Sequence, residues 1–133
     1  MALSEDLKPS NETELANIVI EAAKTGTALD VSGSGSKRAI GRPTNTTHRL
    51  STAAMRGITL YEPNEMVMSA LAGTPLADVQ AALAKHNQML PFEPGDLGPA
   101  LGSDSHYASI GAVFATNNSG SRRVSAGAAR DHL

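Results

Sequence analysis

From Glu12 to Thr25, apolar residues recur at Leu15, Ile18, Val19, Ala22 and Ala23 as one stripe at helical spacing. Ser10 or Asn11 is placed to cap the segment and Gly26 to end it, which predicts an amphipathic helix. Residues 28–32 then read as a strand, so the pair forms a helix–strand unit delivering the chain to Ser32-Gly33-Ser34-Gly35-Ser36-Lys37. Arg42-Pro43-Thr44-Asn45 is a turn and residues 48–52 a short strand. Residues 57–61 and 66–72 flank Glu62-Pro63-Asn64-Glu65, good turn chemistry, which predicts an antiparallel hairpin.

Thr74-Pro75 opens a second helix running to about His86, with Thr as the cap, Pro at the first helical position, and Leu76, Val79 and Leu83 as its buried stripe. The expected core is Leu15, Ile18, Val19, Val31, Leu60, Val67, Leu76, Val79 and Leu83. Two helices on one face of a small sheet give an α+β fold class. Pro91, Pro94, Gly95, Gly98, Pro99 and Gly102 mark a loop crossing, residues 110–116 a short helix or tight turn, and 119–127 an irregular stretch.

The chain has 133 residues, 41% of them hydrophobic, enough for one ordinary domain or two small subdomains. With two Tyr, two Phe and no Trp, the interior is aliphatic and base stacking cannot be a main binding mode. A net charge of -2 also argues against nucleic acid. The absence of cysteine removes disulfides, thiolate-held clusters and redox thiols, and the acidic start lacks a signal-peptide core, so an intracellular address is expected. Five of the eleven basic residues (Lys37, Arg38, Arg42, Arg49, Arg56) follow the first glycine-rich loop and three (Arg122, Arg123, Arg130) follow the second small-residue stretch, a distribution that suits an anionic ligand or a solvated surface.

The loop after residue 32 can turn its backbone N–H groups onto a phosphate without side-chain interference, and equally suits a Gly/Ser surface turn. It is neither a dinucleotide fingerprint, because position 38 is Arg rather than the third Gly, nor a Walker loop, because Ser36 precedes Lys37. His48, His86, His106 and His132 show no metal-ligand spacing, so no metal is expected. Asp104-Ser105-His106 cannot fold back into a triad and reads as loop, while Asn117-Asn118 also suits a helix C-cap.

In order, the segments Val31-Ser32-Gly33-Ser34-Gly35-Ser36-Lys37, Tyr61-Glu62-Pro63-Asn64-Glu65, Ala72-Gly73-Thr74-Pro75-Leu76, Gln88-Met89-Leu90-Pro91-Phe92-Glu93-Pro94, Ser109-Ile110-Gly111-Ala112 and Arg130-Asp131 closely resemble the FAD-binding domain of the vanillyl-alcohol-oxidase or PCMH type. Within that family the resemblance is to the FAD-binding subunits of glycolate oxidases. It implies FAD between two α+β subdomains, the first spanning residues 1–90 and the second starting at 109–133 after a crossing loop at 91–108, the chain being the N-terminal portion of a longer protein. The pyrophosphate would be held by Gly33, Ser34, Gly35, Ser36 and Lys37. Thr74 and Pro75 would approach the cofactor, with Gly111, Ala112, Thr116, Asn117 and Gly120 on the opposite wall.

Ala112 stands where many members have a second Gly, and Asn118-Ser119 interrupts a place often richer in Gly. The resemblance implies an oxidoreductase transferring hydride from a small 2-hydroxy acid, glycolate or D-lactate, to the flavin. Its partners would be the other subunits of a glycolate-oxidase-like complex, in the cytoplasm and attached through them to the inner face of the membrane. No catalytic base can be named from these residues, since the resemblance implies that the substrate-binding positions lie downstream, and the chain by itself is expected to be inactive. The alternative is a non-catalytic FAD-fold subunit whose partner performs the oxidation. Ile110, Val113, Phe114 and Val124 are expected to lack covering strands, leaving the region after Pro99 poorly ordered or packed on another chain.

Overall fold

The computed structural model describes residues 5–102 and 108–133. Three short strands, β1 (Glu5–Leu7), β2 (Leu29–Ser32) and β3 (His48–Ser51), form a parallel sheet in the order β1-β3-β2. Helix α1 (Glu12–Thr25) connects the outer two. It starts at Asn11, whose Oδ1 accepts the Glu14 N–H at 2.9 Å, and it ends at Gly26 in the left-handed region (φ 67°). Glu14 reaches back to accept from the Ser10 N–H at 2.7 Å and the Ser10 hydroxyl at 3.0 Å. These bonds hold its carboxyl below the usual range. Because β2 and β3 are parallel neighbours, the chain must travel back along the sheet between them. Residues 33–47, including the glycine-rich loop, make that return.

A hairpin follows. Strands β4 (Ile58–Glu62) and β5 (Val67–Ala70) pair antiparallel around a 3-10 turn at Pro63–Glu65, closed by Met66 at φ 55°. Helix α2 (Leu76–Ala84), α3 (Ile110–Ala115) and the one-turn α4 (Arg123–Ala126) complete the chain, with a final 3-10 turn at Ala129–His132. The main core joins Leu76, Val79 and Leu83 of α2 to Phe92, Ala108, Ile110, Val113 and Ala129, with Tyr61, Met68 and Ala70 of the hairpin against it.

Several expectations change. Strand β1 was not anticipated. Of the nine expected core residues only Leu76, Val79 and Leu83 are buried; α1 buries none of its residues, and Val19, Val31, Leu60 and Val67 are exposed. Val31 shares its sheet face with buried Leu50 but sits on the edge strand. In the hairpin the inward set is Tyr61, Met68 and Ala70, one residue out of step from Leu60 and Val67, and a period of two makes that a reversal of face.

Thr74 does not cap α2. Pro75 occupies the cap position without a side-chain bond, while the buried Thr74 hydroxyl accepts from the Gly57 N–H at 2.9 Å and donates to the Leu71 carbonyl at 2.6 Å, tying the hairpin to the helix. Ile110 and Val113 are buried within the chain rather than uncovered, since both join the core cluster with Phe92, Ala129 and the buried residues of α2; Val124 is exposed as expected.

Candidate functional site

Beyond the C-terminal end of β2 the chain turns away from the sheet, and such ends of parallel strands open onto a crevice. The Ser51 hydroxyl donates to the Gly33 carbonyl at 3.2 Å and the Thr52 N–H to the Ser32 carbonyl at 2.9 Å, fixing the loop's entry. Gly35 takes φ 85°, which a side chain would strain, and allows the Arg38 N–H to close a turn on its carbonyl at 3.1 Å.

The second small-residue stretch is brought to the same place by main-chain bonds. The Leu76 N–H donates to the Ala108 carbonyl, the Ile110 N–H to the Thr74 carbonyl and the Gly111 N–H to the Ala72 carbonyl, each at 2.8–2.9 Å, so residues 72–76 and 108–111 run side by side. A β-carbon on Gly111 would stand 2.7 Å from both the Cβ and the carbonyl oxygen of Ala72.

Between the two stretches lies a cavity of about 460 Å³. Gly33, Ser34, Gly35, Ser36 and Lys37 line it together with Gly111, Ala112 and Thr116. Four anticipated residues are elsewhere. Thr74 is buried in the hairpin junction, and Pro75 pairs with Ser109. Thr116 is the C-cap of α3 and Asn117, at φ 50°, is the left-handed residue just after it: the Asn117 N–H donates to the Phe114 carbonyl, the Asn118 N–H to the Val113 carbonyl, and the Asn117 Oδ1 accepts from the Arg130 N–H, so the expected C-cap lies one residue earlier than Asn117. Gly120 packs its backbone on residues 92–93, where a β-carbon would lie 2.6 Å from the Glu93 carbonyl oxygen. Sequence reasoning missed Asp30, Val31, Ser32, Ile40, Thr44, Thr52, Ala72 and Ala115 as lining residues; only the basic cluster after the loop, from which Arg38 and Arg42 also line the cavity, carried a signal.

Lys37 dominates the electrostatics. Its Nζ is buried with no hydrogen-bond partner among the described residues. Burial pushes its pKa down, opposed by the carboxylate of Asp96. A desolvated ammonium without a partner is costly, and an anion admitted to the cavity would relieve that cost. The Ser109 hydroxyl, at the start of α3, is likewise buried and unpartnered among the described residues. His48 contacts Thr47, His86 stacks edge-on with Tyr61, and His132 lies against Phe92, so these three serve separate places. Asp104, Ser105 and His106 lie outside the described residues.

A cavity of this size is within the range of cofactor sites, and an open backbone turn, hydroxyls and a buried ammonium with no hydrogen-bond partner among the described residues are a donor set that suits a pyrophosphate. The FAD binding domain family matches residues 6–133, and the chain belongs to it, with the PCMH-type fold and FAD as its cofactor. Among curated proteins it is similar to glycolate oxidase subunit GlcE of Escherichia coli (strain K12), 40% identical over 115 residues. The match covers 86% of this chain and 31% of that protein, so the chain spans about a third of the relative's length. Two solved structures of alkyldihydroxyacetonephosphate synthase share the fold, with TM-scores of 0.72 and 0.71 at 21% and 20% identity; each match covers 95% of this chain and 23% or 24% of the other. No helix of the described residues is long and apolar enough to cross a membrane.

Proposed function

We propose that the chain is the FAD-binding portion of a flavoprotein that oxidises a small 2-hydroxy acid, glycolate or D-lactate, as one subunit of a glycolate-oxidase-like complex in the cytoplasm. The observation that carries the FAD site is a cavity walled by both glycine-bearing stretches, with the Lys37 ammonium buried beside it and without a hydrogen-bond partner among the described residues. The substrate class rests on the likeness to the glycolate oxidase subunit.

The backbone of residues 33–36 and Lys37 hold the pyrophosphate, the hydroxyls of Ser34 and Ser36 add donors, and the small residues Gly111 and Ala112 admit the cofactor from the other side. The chemistry that bound FAD supplies is acceptance of a hydride from the substrate α-carbon; the protein binds and orients it and excludes water. Thr74, Pro75, Asn117 and Gly120 act on the site through the segments they pin, residues 72–76, 108–111 and the end of α3.

Anaerobic addition of glycolate or D-lactate to the FAD-loaded full-length protein with its partner subunits tests this. Bleaching of the visible flavin absorption of this subunit is the expected result. Turnover of the complex with this flavin unreduced would assign the oxidation to a partner subunit.

A further inference from the structure

A row of charges crosses the parallel sheet and reaches the cofactor cavity at Asp30 and Arg38. Asp6 on β1, Arg49 on β3 and Asp30 on β2 stand in register across the parallel sheet. Arg49 lies between the two carboxylates, its Nη1 3.8 Å from Asp6 Oδ1 and its Nε 3.9 Å from Asp30 Oδ2. A fourth charge comes from the loop: the Arg38 guanidinium donates to Asp30 Oδ2. The side chain of Asp30 is 14% exposed, against 40–43% for the other three. Asp30 and Arg38 also line the cofactor cavity, and a second, smaller cavity of about 170 Å³, lined by Asp6, Arg38 and Arg49, lies beside the Gly33–Gly35 backbone.

The loop's entry is bonded to β3 through Ser51 and Thr52. Past Gly35 its backbone bonds are local turns, Arg38 to Gly35 and Ile40 to Lys37. The Arg38 side chain ties this arm back to the sheet at Asp30. A carboxylate so close to a phosphate site would by itself repel the ligand; its neighbours Arg38 and Arg49 offset that charge.

We infer that Asp30 is a positioning residue: through its ion pair with Arg38, backed by Arg49, it fastens the outgoing arm of the loop and holds the backbone of residues 33–36 and the Lys37 ammonium in their phosphate-binding arrangement. The inference rests on the FAD reading of the cavity. The Arg38 end of the pair is 41% exposed and open to solvent screening, so its larger consequence is local.

Coulomb's law alone and the brace predict opposite signs, and FAD titration of the chain followed by quenching of flavin fluorescence separates them. Asp30→Asn removes a negative charge near the phosphates, yet the brace predicts affinity lower by roughly tenfold, the loss of about one charge-assisted hydrogen bond. Arg38→Gln should lose a similar factor, the double variant no more than either single one, and Asp30→Glu should keep most of the affinity. Thermal melting of the apo forms should stay close to wild type. Unchanged or tighter FAD binding by Asp30→Asn, or additive losses in the double variant, would overturn the brace while leaving the FAD site intact. If Asp30→Asn failed to fold, Arg38→Gln with wild-type affinity would overturn it equally. A wild-type chain that binds no FAD would sink the cofactor reading and this inference with it.

Discussion

Gly33 and Ser109 meet where the two small-residue stretches touch: a β-carbon on Gly33 would lie 2.5 Å from Ser109 Oγ but 3.5 Å from its Cβ. Gly33→Ala therefore overpacks a closed junction and should cost about 1–3 kcal/mol. Ser109→Ala removes the colliding oxygen, one with no partner among the described residues, and should be neutral or slightly stabilising alone. In the double variant most of the loss should return. Denaturant unfolding of the three variants checks this, and additive effects would mean the two residues are not in contact.

Gly111 gives a test of sign. At an exposed position in a helix, Gly→Ala stabilises by about 1 kcal/mol. Here the new Cβ meets the Ala72 carbonyl, so Gly111→Ala should destabilise, and Ala72→Gly should not rescue it because the carbonyl remains. A gain in unfolding free energy would show that residues 72–76 and 108–111 do not run side by side.

The core predicts where truncation hurts. Phe92 is fully buried, and Phe92→Ala should cost about 3–5 kcal/mol, with Leu83→Ala about 2–5. Leu60→Thr and Val67→Thr, on the outer face of the hairpin, should stay within about 0.5 kcal/mol of wild type. Equal losses at Leu60 and Phe92 by thermal unfolding would contradict the observed hairpin register.

Much of this was legible in the chain and some was not, for physical reasons. Helix α1 was readable because Asn11 and Gly26 bracket it, and α2 because its stripe is buried. Burial of the α1 stripe was not, since amphipathicity states which face is apolar and not whether anything covers it. The hairpin's existence followed from Pro63-Asn64, but Leu60 and Tyr61 are adjacent and both suit an interior, so its face could not be chosen. Phe92 was overlooked because the prolines and glycines around it read as loop. The glycine-rich loop was visible through its glycines, whereas Ala72 and Thr52 reach the cavity through tertiary pairing that no local pattern encodes.

Lys37 makes a pH prediction. Burial lowers its folded pKa below the unfolded value near 10.5, so the unfolded chain binds more protons between the two values and the apo protein gains stability as pH rises through that window. A bound phosphate favours the ammonium, so FAD affinity should fall as pH rises through the lowered pKa. Titrations over the alkaline range should show this decline in wild type and not in Lys37→Gln. A parallel decline in both would exclude Lys37 as the source.

The central claim is that the loop of residues 33–37 and the start of α3 together hold FAD. Titrating FAD into the chain and into Gly35→Val, with flavin fluorescence as the signal, tests it most directly, because Gly35 at φ 85° cannot accept a β-branched side chain without moving the loop backbone. The account predicts saturation near one FAD per chain in wild type and an affinity lower by roughly tenfold or more in the variant. Equal affinities in the two proteins would contradict it.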